Sequence, residues 1–87
     1  MRRHLVITGR VQGVGFRVWV ADRAVRAGLS GLVRNLEGGQ VEVILQGPIP
    51  AVEQVVASCW IGPARASVRH IEIVDERPTD DAVFSVE

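Results

Sequence analysis

The chain has no lysine and no tyrosine, one cysteine, four prolines and no net charge. Each shortage removes a class of protein. Ten arginines balance ten acids, so the broad positive field of a nucleic-acid binder is missing, and no nucleic-acid partner is expected. Cys59 is alone, so no internal disulfide can form and nothing demands an oxidising compartment. The longest apolar runs fall well below the ~18 residues needed to cross a bilayer, so no membrane association is expected. Residues 1–8 begin with basic side chains, but their apolar run is shorter than a signal-peptide core and no small-residue cleavage site follows. Export is therefore not expected, and the cytoplasm is the expected compartment. His4, His70 and Cys59 lack a ligand spacing and the acids are dispersed, so no metal and no other cofactor is expected.

What is present is a small apolar-rich chain. Its 87 residues, 47% of them hydrophobic, suit one domain, 1–87, that buries only about 60–65% of its unfolded surface. The stretch Gly9-Arg10-Val11-Gln12-Gly13-Val14-Gly15-Phe16-Arg17 joins a strand-like run, Leu5 to Thr8, to an amphipathic helix. A helix N-terminus leaves about four N–H groups unpaired and carries roughly half a positive charge, which favours an anion. Gly13 and Gly15 can adopt the positive φ that turns successive N–H groups into a nest, and Arg17 adds a bidentate charged fork. The same spacing also fits a plain strand-to-helix turn.

From Arg17 to Gly28 the helical wheel places Val20, Ala21, Ala24 and Val25 on one arc, with Asp22, Arg23 and Arg26 opposite. Arg17 falls among the apolar positions, where a charge needs a partner from the loop or its ligand. Trp19 falls on the polar arc, where it covers the site or packs under a neighbouring strand. Gly31 to Asn35 reads as strand two, Glu37-Gly38-Gly39 as a hairpin turn and Gln40 to Gly47 as strand three, in which Ile44 breaks the alternation. Pro48 and Pro50 introduce a second helix with Val52, Val55, Val56, Cys59 and Trp60 on its apolar stripe, ending at Gly62-Pro63. On that stripe Cys59 reads as a buried small hydrophobe. Ser67 to Glu76 is a fourth strand with Val68, Ile71 and Ile73 inward and an irregular spacing that suggests a bulge. His70 on this strand reads as structural. The tail around Phe84-Ser85-Val86 either adds an edge strand or packs Phe84 into the core.

This element order predicts an α+β, ferredoxin-like βαββαβ sandwich: a four-stranded antiparallel sheet with two helices on one face, and room for a short C-terminal edge strand. In a split βαβ unit strands one and two run parallel with strand three between them, so their C-terminal ends emerge at one sheet edge about 10 Å apart. Asn35 then lies across from the loop at 11–16, where its amide and Arg17 could share an anion and a water. A strand-ending Asn is equally a turn former.

The run from Gly9 to Arg17, together with Gly31-Leu32-Val33-Arg34-Asn35, resembles the two signature motifs of the acylphosphatase family, and the likeness extends over almost the whole chain. The resemblance implies a ferredoxin-like hydrolase that cleaves the carboxyl-phosphate anhydride of a small-molecule acyl phosphate. It implies Arg17 as the phosphate-binding arginine and Asn35 as the water-orienting residue. The backbone of Val11, Gln12, Gly13, Val14, Gly15 and Phe16 would be the phosphate cradle. Leu32 stands where the family often has Trp, and Trp19 where it often has Tyr. A monomer is expected.

Other readings fit less well. An RNA-binding module of the same architecture would display aromatics on its open sheet face, but strands one and three have none. A P-loop enzyme would need a terminal Gly-Lys-Ser/Thr. The stronger alternative is a non-catalytic phosphate-binding or regulatory domain. It includes a fragment of a larger carbamoyl transferase, since the N-terminal domain of the hydrogenase-maturation enzymes shares the Gly-Val-Gly-Phe-Arg run.

Overall fold

Alternating apolar residues fix which sheet face is covered. In the computed structural model, which describes residues 1–87, the order is β1 (Arg2–Arg10), α1 (Phe16–Arg26), β2 (Ser30–Asn35), β3 (Val41–Gln46), α2 (Ile49–Ile61), β4 (Ser67–Glu76) and β5 (Phe84–Val86). The sheet order is β4-β1-β3-β2-β5. The first four strands pair antiparallel, as the ferredoxin-like plan requires, and β5 adds a fifth, parallel to β2. The tail therefore forms the edge strand, and the sheet is mixed. Leu5, Ile7, Val33, Val41, Val43, Leu45 and Ile71 of the sheet join Phe16, Val20, Ala24, Val52, Val55, Val56 and Cys59 of the helices in one buried cluster. Both helices thus cover the same face. No helix is long and apolar enough to cross a membrane.

Burial departs from the periodicity at three places. Val25 is 62% exposed, because it sits about half a turn of the wheel from the buried Phe16. Trp60 is 46% exposed; it lies one residue beyond Cys59, off the buried stripe, with its ring edge-on to His70 at 6.4 Å. Ile73 is partly exposed because β4 is an outer strand. Ile44 does not break the pattern: it is half-buried on the opposite face, paired between His4 and Leu32. The β1–β4 register shifts between Thr8 and Gly9, leaving Arg69 as the extra residue, so Val68 and Ile71 both reach the core. Gly31 at φ +133° is required where β2 runs beside β3, since a Cβ there would lie 1.9 Å from the Ile44 carbonyl oxygen.

Cys59 is fully buried, and burial pushes its thiol up to about 12, as a structural side chain would show. On the helix-free face Glu42 accepts hydrogen bonds from His4 and Arg34. Burial raises its pKa, but those bonds and the Arg34 charge outweigh that effect and hold the carboxyl below its ordinary value. A depressed folded pKa gives stability that is present above the unfolded pKa of about 4.5 and is lost as pH falls through the folded value. Glu42→Gln therefore lowers the thermal midpoint at pH 7 and approaches the parent in acid. A pH series of melting curves that stay parallel down to pH 3 would contradict this.

Candidate active site

The loop expected to cradle an anion runs between β1 and α1. Gly13 and Gly15 have φ +73° and +79°, and a Cβ on either would meet nothing within 4 Å. The requirement is conformational: both glycines supply the left-handed backbone at the mouth of open space. Gly15 is the N-cap of α1, no side chain caps it, and the first turn carries no acid. From Val11 to Val18 no backbone N–H donates to a protein acceptor. A run of unpaired donors at a helix start, beside an arginine, attracts a phosphate through both dipole and hydrogen bonds.

Val11, Gly13, Gly15, Phe16, Arg17, Val18 and Asn35 line one depression of about 110 Å³. The two residues set apart by the sequence, Arg17 and Asn35, thus meet at the sheet edge where β1 and β2 both end. The expected cradle residues divide by role. Val11 and Phe16 are buried beneath the loop as part of the core, and Val14 packs against that core. Gln12 turns away from the depression. Its Nε2 donates to the carbonyl oxygens of Leu36 at 2.8 Å and Gln40 at 2.9 Å, fastening the loop to the turn between β2 and β3. That turn also carries Asn35 at its entry, so one amide links the two segments that carry the candidate site residues. Gln12→Ala is expected to cost about 1 kcal/mol of stability and to lower kcat/KM roughly tenfold, read by denaturant melts and steady-state kinetics.

Arg17 is exposed rather than directed into the core, and its Nη1 donates to a main-chain oxygen of Glu87 at 2.8 Å. Glu87 is held there because β5 runs beside β2 and the Glu87 N–H donates to the Val33 carbonyl at 2.9 Å. No sequence pattern signals a contact across 70 residues through a three-residue strand. Trp19 does not cover the site. It packs on the core, tilted against Phe16 at 5.5 Å between ring centroids, with the Arg23 guanidinium 4.0 Å over its ring. The Asn35 side chain is exposed and has no hydrogen-bond partner within the protein. Nothing clusters three potential metal ligands.

Comparison with known proteins gives a consistent result. The family model described as Acylphosphatase matches residues 3–86. The acylphosphatase of Chloroflexus aurantiacus is 42% identical over 87 residues, covering 99% of this chain and 95% of its own. That of Azorhizobium caulinodans is 56% identical over 69 residues, covering 79% and 74%. Among solved structures, the acylphosphatase of Bacillus subtilis superposes with a TM-score of 0.95 at 32% identity, covering 99% of this chain and 97% of its own.

Proposed function

This chain belongs to the acylphosphatase family and is an acyl phosphate hydrolase, and on that premise we propose that Arg17, Asn35 and the backbone of residues 11–16 carry its chemistry. The supporting observation is the run of unpaired N–H groups at the uncapped start of α1, in the same depression as Arg17 and Asn35. The phosphoryl group sits against those N–H groups, and two of its oxygens accept hydrogen bonds from the Arg17 fork. Asn35 accepts a hydrogen bond from the attacking water through its carbonyl oxygen and donates to phosphate or loop through its NH₂.

Such sparse machinery suffices for this bond. The leaving group is a carboxylate whose conjugate acid has a pKa near 4, so no general acid is needed at neutral pH. Phosphoryl transfer passes through a loose transition state with charge spread over the equatorial oxygens, which leaves positioning and electrostatic stabilisation to the protein. The reading takes residues 1–87 as one domain, acting as a cytoplasmic monomer on small molecules rather than on nucleic acid.

The alternative of a non-catalytic anion-binding domain, or a carbamoyl transferase fragment, is not favoured, since relatives matched along most of both chains bear the enzyme's name. Steady-state assays on benzoyl phosphate and carbamoyl phosphate separate the two. Hydrolysis inhibited competitively by inorganic phosphate is expected. Phosphate binding without turnover of either compound would return the alternative.

A further inference from the structure

The depression is small. At about 110 Å³ it lies well below the ~300–1,000 Å³ of pockets that enclose a whole organic ligand, so it takes the phosphoryl group and leaves the acyl group at its rim. What the acyl group meets there is decided by the lining. Val11 and Phe16 are buried to 1% and 2% exposure and offer it nothing. Gly13 and Gly15 present backbone alone, while Arg17 and Asn35 are committed to phosphate and water in the reading above. Val18 remains, 71% exposed on the first turn of α1 and the sole large apolar side chain of the lining that is open to solvent. It directly follows Arg17, yet points about 100° away from it around the helix, toward water rather than toward the core.

We propose that Val18 is the acyl-contact residue, giving the enzyme a modest preference for acyl phosphates with an apolar or aromatic acyl group. An exposed valine on a first turn has no packing reason to be apolar; covering it with a hydrocarbon surface removes apolar area from both partners. The contact is one-sided, so the preference is small and many acyl groups remain acceptable. This inference rests on the assignment of the depression as the phosphate site.

The test is the ratio of kcat/KM for benzoyl phosphate to that for acetyl phosphate, measured on the parent, Val18→Ser and Val18→Leu. Val18→Ser lowers the ratio about fivefold and Val18→Leu raises it, near or below the lower end of the discrimination that one or two methyl groups give in an enclosed pocket. Because Val18 is exposed, both variants keep the parent melting temperature, which a thermal scan checks. A ratio that stays within twofold in both variants overturns the proposal. Failure of the site itself has a different signature: an Arg17→Gln variant that still hydrolyses both compounds and still binds inorganic phosphate removes the site, whatever Val18 does.

Discussion

Replacing Arg17 with glutamine lowers kcat/KM for benzoyl phosphate by about 10³-fold or more and removes competitive inhibition by inorganic phosphate. A single preorganised donor at a developing charge commonly contributes 10²–10³ in rate, about 3–4 kcal/mol. Arg17 supplies more than one donor and a full charge, and the backbone N–H groups of the loop cannot replace that charge. Both ground-state affinity and turnover therefore fall, because the phosphate is dianionic before and during reaction. Arg17→Lys recovers part of the affinity but not the two-point geometry, since an ammonium is a point charge. The side chain is exposed and its one hydrogen bond in the protein is to a main-chain oxygen of Glu87, so the fold tolerates its loss. A rate loss below tenfold, with phosphate still bound, would remove Arg17 from the site.

Asn35→Ala has the second largest effect and a different shape. kcat falls by about 10²–10³ while the inhibition constant for inorganic phosphate stays within about threefold. In the proposed assignment Asn35, which lines the depression without supplying charge, aligns water with the phosphorus rather than holding the phosphate. Its amide has no partner inside the protein, so no internal hydrogen bond is broken by the substitution. Asn35→Asp keeps an acceptor for water but places a negative charge beside the phosphate, and is expected to weaken phosphate binding as well. If Asn35→Ala loses phosphate affinity in step with kcat, Asn35 binds the anion instead of orienting water.

Much of this site is legible because it is local. Glycine at 13 and 15, helix periodicity from Phe16 and an arginine on the first turn are adjacent in sequence, and the physics of a helix start does not depend on the rest of the fold. Asn35 is legible for a different reason: the split βαβ order fixes where β1 and β2 end, so topology brings the two segments together without any knowledge of side chains. The helix wheels served less well at their margins. Val25 and Trp60 each lie at the border of an apolar arc, and only the packing of α1 and α2 on a particular sheet decides that both remain exposed.

Three features had no sequence signal. Gln12 is an unremarkable polar loop residue until the β2–β3 turn is placed against it, and then it becomes the link between the two halves of the site. Glu87 meets Arg17 because β5 docks parallel to β2, an outcome that a weakly alternating tail leaves open. Val18 reads as an ordinary helix residue until the depression beside it is known to be too small for a whole substrate.

The sequence by itself therefore determined the class of fold and singled out the loop at 11–16, Arg17 and Asn35 as the candidate site, because each reading depends on short-range periodicity, glycine conformation or the order of elements. Only the tertiary structure decided how those parts are held. The Gln12 tether, the support of Arg17 by Glu87 and the open rim at Val18 arise from pairings between segments far apart in the chain. Such pairings are selected by the packing of the whole core and leave no periodic mark on the residues that make them.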